Sequence, residues 1–363
     1  MSAPTCPGCG ARTRSTDRFC EQCGRELAIR RAALPDLAID PAAGCAACGA
    51  GRLDPDGYCT ACGELRRPPD RGSADLGAVY LVTDRGKVHA RNEDAVAAAV
   101  LGDVEDEPAA APRPGGDDST LSAVDPAAAE TTGSAVVITV CDGVSTSEDP
   151  QAASGAAARA GLDACLAALT ADRTAEDAVM AGLEAAFQAV RGVSIAAGHS
   201  PSCTYVTAVL RPCGHGEFEI TVANVGDSRA YWLRAPSDRA DQPSRRLTVD
   251  DSWAQALVDA GAMDEVAAMR DPRAHALVRW LGADSEHTAA DTRVHTLRVH
   301  GPGVLLLCSD GLWNYLSEPA DLAAIATSAP PAKAARNLVD YAIHCGGADN
   351  ITVALAPVSG VQQ

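Results

Sequence analysis

Two sets of residues in this chain have the types and spacing for chemistry: paired cysteines near the N-terminus, and aspartates at the ends of apolar runs. Cys6, Cys9, Cys20 and Cys23 form one cysteine set, and Cys45, Cys48, Cys59 and Cys62 form another. Each reads C-x2-C-x10-C-x2-C, and the second repeats the first 39 positions later. A C-x2-C turn offers two thiolates to one ion, and two turns complete the tetrahedral shell of a structural Zn²⁺. A disulfide framework would need an oxidising compartment. The N-terminal MSAPTCPGCG lacks the basic-then-apolar pattern of a secretory signal. The spacing therefore predicts two closed Zn²⁺ sites, in modules too small to fold without their metal.

The aspartates raise a different chemistry. Asp142 closes AVVITVC, Asp310 closes VLLLCS, and Asp227 follows ITVANVG. Asp94 opens AVAAAV after Arg91, Asn92 and Glu93, and Asp349 in GGADN opens ITVAL. If these runs are strands pairing antiparallel, ends and beginnings meet at one edge. Five carboxylates gathered there would repel unless cations lie among them. Oxygen-only ligands favour Mg²⁺ or Mn²⁺. Two such ions sharing a carboxylate can activate a bridging water and clamp a phosphoryl group for in-line attack.

Cys141 and Cys308 end the same runs and compete for attention. A cysteine phosphatase needs an arginine six residues after its nucleophile, where this chain has Ser147 and Asn314. Both cysteines read as small core residues. His199, His215, His275 and His344 are scattered, and read as structural or exposed residues rather than ligands.

The elements that must position these residues follow from periodicity. Strands are expected at 78–82, 95–100, 135–140, 204–210, 218–225, 230–233, 304–308 and 351–355. Two Ala-rich stretches, 151–170 and 174–197, read as helices, the second capped by Thr174 with Asp177 three residues on. FEITVANVGDSRAYWL reads as a hairpin turning at VGDS. Residues 102–133, rich in Pro, Ala, Gly and acids, read as a flexible insertion. Residues 67–75 read as a linker. The pattern lacks strict βαβ alternation, so the fold class is α+β, with antiparallel sheets covered by helices.

Charge narrows the function further. The net charge is -18. Up to residue 72, ten Arg nearly cancel nine Asp and Glu, so the remainder carries the acidic excess. That argues against nucleic acid as a partner, since such binding rests on Lys and Arg. No apolar run approaches the roughly 18 residues of a membrane helix, and a cytoplasmic protein without membrane partners is expected.

Two resemblances extend this reading. The cysteine modules, over 1–30 and 40–66, resemble a double zinc ribbon; near-neutral charge points it towards protein interaction or regulation. ARNEDA, VCDGVS, VANVGDSRAY, LTVDDSW, LLLCSDGLW and GADNITV resemble, in order, the motifs of the type-2C metal-dependent protein serine/threonine phosphatases (the PPM family), over about residues 76–357. The resemblance implies a four-layer α-β-β-α sandwich. It also implies hydrolysis of phosphoserine and phosphothreonine in proteins by water held between two Mn²⁺ or Mg²⁺ ions, opposing a serine/threonine kinase pathway. Carried over, Asp142 bridges the ions, the Gly143 carbonyl ligates one, and Asp310 and Asp349 hold the other. Asp227 with Asp310 corresponds to a possible third ion position. Asp94 belongs to the metal-binding set, acting through metal-bound water, Glu93 stands just outside it, Asn350 positions Asp349, and residues 250–280 correspond to a mobile flap.

The chain also departs from the family. Ser145 and Thr146 replace two glycines, and Val144 replaces a histidine of eukaryotic members. His89 stands where the phosphate-binding arginine is usual, leaving His89, Arg91 or Lys87 to take phosphate. Asp251 replaces the histidine of the usual DHS. These departures leave an alternative: a weak or inactive phosphatase fold that binds phosphoproteins as a scaffold.

Overall fold

The computed structural model describes residues 11–12, 21–22, 29–35, 45, 48–49, 58–64, 70–102, 135–193, 199–236 and 243–359. The first cysteine set and nearly all of the insertion expected at 102–133 lie outside the described residues. In chain order come strands β1 (Ile29–Leu34), β2 (Arg71–Asp75), β3 (Tyr80–Asp84), β4 (Ala95–Leu101) and β5 (Ala135–Cys141), then helices α1 (Pro150–Thr170) and α2 (Ala175–Val193). They are followed by β6 (Ser202–Cys203), β7 (Tyr205–Gly214), β8 (Glu217–Val225), β9 (Arg229–Leu233) and β10 (Arg245–Arg246). Short helices α3 (Trp253–Asp259) and α4 (Glu265–Ala268) precede β11 (Leu281–Gly282), β12 (Val294–His300) and β13 (Gly303–Cys308). Last come α5 (Asp310–Trp313), α6 (Pro319–Ala326), α7 (Pro331–Cys345) and β14 (Ile351–Val358).

The strands form two six-stranded antiparallel sheets, ordered β1-β4-β5-β7-β8-β12 and β10-β9-β13-β14-β3-β2. Strand β4 shows why. Its Ala95, Ala97 and Ala99 pack under α1 and α2, while Val96, Ala98 and Val100 face the other sheet. With both faces covered, the strand is apolar throughout instead of alternating. The second sheet repeats the logic: Leu305 and Leu307 enter the inter-sheet core, while Leu306 and Cys308 pack against α5, α6 and α7. The result is the expected α-β-β-α sandwich.

The eight expected strands are present, with shifted ends. Thr174 caps α2, its Oγ1 accepting the Asp177 N–H at 3.1 Å. The hairpin expected at VGDS is not one. β8 pairs with β7 and β12 in one sheet, and β9 pairs with β10 and β13 in the other. The turn therefore crosses between sheets. Gly226, at φ +96°, provides the left-handed step that an L side chain resists.

The linker expected at 67–75 contains β2, which pairs along β3, and Arg71 ties that edge to Asp84 at 2.6 Å. Likewise β1, at the border of the first cysteine module, adds six residues to the edge of β4. The sandwich thus begins at residue 29, not 76, and the second cysteine set lies between two of its strands. A boundary at 76 mistakes short, half-polar edge strands for connectors. A fragment of residues 73–363 should accordingly be less stable than the full chain. It loses the burial of Leu34, which is 7% exposed, at about 1.5–3 kcal/mol, and a ladder worth about 1 kcal/mol per bond. Thermal melts of the two proteins in EDTA should differ by at least about 5 °C.

Among the described residues no helix is long and apolar enough to cross a membrane.

Candidate active site

The sandwich brings the aspartates together because each sits where a strand ends or begins. β5 stops at Cys141, and Asp142 is locked just beyond: its N–H donates to Thr204 Oγ1 at 2.9 Å and its carbonyl accepts the Thr204 N–H at 2.7 Å. Asp227 lies in the crossing between sheets, where the Gly226 N–H donates to Asp251 Oδ2 at 3.1 Å. Asp310 opens α5 directly after β13. A Cβ on Gly311 would collide with the Asn350 carbonyl, so only glycine lets α5 start against β14. Asp349 precedes β14, its Oδ1 accepting the Asn350 N–H at 2.7 Å. Asp142, Gly143, Asp227, Asp310 and Asp349 all line one cleft of about 740 Å³.

Asp94 lies beneath, 1% exposed, with Ser309 Oγ donating to its Oδ2 at 2.7 Å. Its Oδ1 and Asp310 Oδ1 are buried without a hydrogen-bond partner. Burial pushes the carboxyls of Asp142 and Asp227 well above the usual range, with the neighbouring carboxylates adding to it. Burial and then Asp349 raise Asp310. Burial pushes Asp94 up to about 7, against the Ser309 hydrogen bond. Orphaned buried oxygens in a cluster of mutually repelling carboxylates are what a divalent cation satisfies. The residues present fit Mn²⁺ or Mg²⁺.

A pH dependence follows. A carboxyl raised in the folded state stabilises the fold fully below its unfolded value, about 3.9, and that stability is lost as pH rises through the folded value. Metal-free protein should therefore lose stability between about pH 4 and 7, through Asp94 at least. Saturating Mn²⁺ should cancel the loss near neutrality. Melting temperatures against pH, with EDTA and with Mn²⁺, measure both.

The surrounding residues hold this frame. Asn350 Oδ1 accepts the Glu93 N–H at 2.7 Å, and its Nδ2 donates to the carbonyls of Arg85 and Arg91. Ser145, in place of a glycine, donates to Glu93 Oε2 at 2.7 Å. Asp251, in place of a histidine, receives the crossing turn as described. Of the three candidates for binding phosphate, none lines the cleft. His89 Nε2 stands 3.2 Å from Asp349 Oδ1. The Lys87 ammonium donates to the Ile343 carbonyl at 2.5 Å, at the end of α7, so it is engaged elsewhere. Arg91 is exposed. Asn350 fixes the backbone of this loop at Arg85 and Arg91.

Cys141 and Cys308 are fully buried, and burial pushes both thiols up, the opposite of an activated nucleophile. Three residues that hold or face the carboxylates carry no signal in the sequence: Thr204, Ser309 and His275. Ser and Thr are too common to single out, and His275 sits in a polar segment without ligand spacing.

The second cysteine set also assembles. The ligand atoms of Cys45, Cys48, Cys59 and Cys62 lie within 4.8 Å of one another. The Cys62 and Ala61 N–H groups draw the Cys59 thiol down to about 6, while the crowded neighbouring sulfurs push Cys62 up to about 12, so without a cation the four do not all ionise together. The Gly49 and Gly63 N–H groups close the two turns onto the carbonyls of Cys45 and Cys59. This arrangement suits a zinc ion held by four thiolates.

No family model matches the chain. Among characterised proteins it is similar to the serine/threonine phosphatase stp of Listeria innocua, 33% identical over 152 residues, which are 42% of this chain and 55% of that protein. The chain thus spans about half the length of this curated relative. The structure of Stp1 from Staphylococcus aureus superposes with a TM-score of 0.56 at 21% identity, covering 78% of this chain and 95% of that one. The catalytic domain of the phosphatase PstP, solved with two manganese ions, gives 0.50 at 24% identity, covering 77% and 97%. The PPM phosphatase MsPP from Mycobacterium smegmatis gives 0.53 at 24% identity, covering 77% and 98%, and the fold is shared with all three.

Proposed function

We propose that this chain, a relative of the PPM serine/threonine phosphatases in sequence and in fold, hydrolyses phosphoserine and phosphothreonine in proteins, with Mn²⁺ or Mg²⁺ as cofactor. The observation that carries the reading is the single cleft lined by Asp142, Asp227, Asp310 and Asp349, with buried carboxylate oxygens left unpartnered. Asp142, the Gly143 carbonyl, Asp310 and Asp349 would hold the ions, with Asp227 and Asp94 beside them. Bound there, the ions would activate water and neutralise the phosphoryl oxygens.

The chain's own groups do the positioning. Thr204 fixes Asp142, and Ser309 fixes Asp94. Asn350 joins Glu93 to the start of β14. No Lys or Arg among the described residues lines the cleft, whereas Ser145, Thr146, Ser147, Ser200 and Ser202 do. Hydroxyl donors would therefore orient the phosphoryl group where a family arginine is usual.

The cysteine set at 45–62 would hold structural zinc, and we read the two ribbons as a protein-interaction or regulatory module. Zinc-binding thiols suit the reducing cytoplasm. The substrates would be phosphoproteins made by an opposing serine/threonine kinase. The test is hydrolysis of p-nitrophenyl phosphate by the full-length protein. Activity should need Mn²⁺ or Mg²⁺ and vanish in EDTA; phosphate release that is absent with both ions, or indifferent to EDTA, rejects the reading.

A further inference from the structure

We propose that His275 supplies a nitrogen ligand to an ion held with Asp227 and Asp310, which makes the segment between α4 and β11 part of the metal centre. The inference rests on the reading of the carboxylate cleft given above. A ring nitrogen of His275 and one oxygen each of Asp227 and Asp310 lie within 4.8 Å of one another. Among the described residues no hydrogen bond joins the imidazole to either carboxylate. The three groups thus surround a gap that ligand bonds of about 2.0–2.2 Å would close with a small shift. Asp310 has an oxygen to give: Oδ2 accepts from Asn314 at 3.1 Å, while Oδ1 is buried and unpartnered.

The ring is held in place although it is exposed. It stacks on Trp313, with centroids 5.7 Å apart and planes at 27°. Trp313 is itself fixed, its Nε1–H donating to the Asp227 carbonyl at 2.9 Å and the Arg229 guanidinium lying 3.5 Å from its ring centroid. The backbone around His275 is tied to α3 and to the strand-crossing region. The Trp253 N–H donates to the Ala276 carbonyl, the Ala254 N–H to the Ala274 carbonyl, and the Val278 N–H to the Asp251 carbonyl. An exposed histidine free in solvent would need none of this.

The chemistry sets the ion. A site of water and carboxylates alone suits Mg²⁺, whereas an imidazole shifts preference towards a divalent transition ion. Occupancy would also fasten the His275 segment over the cleft, so the ion that fills the position sets how open the substrate approach is.

The test uses metal-free full-length protein loaded with increasing equivalents of Mn²⁺ and read by pulsed EPR. The expected result is ¹⁴N modulation on bound Mn²⁺ that disappears in His275→Phe, which keeps a stacking ring without a ligand atom, and survives in His89→Gln. Mg²⁺ should displace the nitrogen-coupled Mn²⁺ at least tenfold less readily than the remaining bound Mn²⁺. Modulation absent from the wild type, or unchanged in His275→Phe, overturns the proposal. The readout needs no turnover, so an enzyme active with Mn²⁺ but lacking the nitrogen coupling would sink this inference and leave the phosphatase reading standing.

Discussion

Asp142→Asn protein should release phosphate at least about a thousandfold more slowly than wild type, yet melt no lower when both are free of metal at pH 7.5. The loss corresponds to about 4 kcal/mol of transition-state stabilisation, within the several kcal/mol that a bound metal contributes. The undiminished stability has a separate cause. Asp142 faces Asp94, Asp310, Asp349 and Asp227 at the floor of the cleft, and desolvation together with those charges pushes its carboxyl well up. Asparagine keeps the shape and removes a charge that is costly for the metal-free fold to hold. Its backbone tie to Thr204 is untouched. Adding Mn²⁺ should then raise the melting temperature of the wild type more than that of the variant, which keeps only the ligands that do not include Asp142. Scanning fluorimetry with and without Mn²⁺, beside the activity assay, measures all three quantities. A variant that melts well below wild type in EDTA would show Asp142 to be a structural residue instead.

Arg229→Met should have the largest effect on stability. Arg229 and Asp250 pair with both side chains 5% exposed, the guanidinium donating from Nε at 3.0 Å and from NH2 at 2.6 Å. The same guanidinium stacks on Trp313. Removing it leaves a buried carboxylate with only the Arg246 guanidinium, 3.8 Å away on a more exposed side chain, at a cost of about 3 kcal/mol, or roughly 10 °C in melting temperature. The double variant Arg229→Met, Asp250→Leu should recover much of this, because replacing both partners of a buried pair leaves no orphaned charge. Activity should fall further than stability alone explains, since Trp313 holds the Asp227 carbonyl and stacks on His275. Chemical denaturation of the single and double variants, in EDTA, tests the energetic part.

These two residues also mark what is legible in the sequence. Asp142 stands out because an apolar run buried on both faces ends in a carboxylate, and the same pattern recurs at Asp310. Strand position therefore predicts the cleft. Arg229 lies in the GDSR motif, but its partner Asp250 is 21 residues away, and no local pattern links them. The same limit hides the crossing at Gly226. Two apolar strands joined by a short glycine turn look like a hairpin until the sheet to which each belongs is known. Edge strands are harder still. β1, β2 and β12 pair on one side only and keep polar, half-exposed residues, so periodicity reads β2 as linker and passes over the other two. Helix α7 escapes notice because a short amphipathic pattern carries less signal than the long Ala-rich runs of α1 and α2. His275 needs the tertiary structure, since stacking on Trp313 and facing Asp227 are contacts between distant segments.

The central claim is that ions held by these carboxylates carry the hydrolysis. It is tested most directly by titrating Mn²⁺ into metal-free protein and following bound metal by calorimetry alongside phosphate release from a phosphothreonine peptide. The account predicts that activity appears only as Mn²⁺ binds, saturates with at least two ions per chain, and is absent from Asp142→Asn. Tight Mn²⁺ binding with no phosphate release, or release that persists in EDTA, would contradict it.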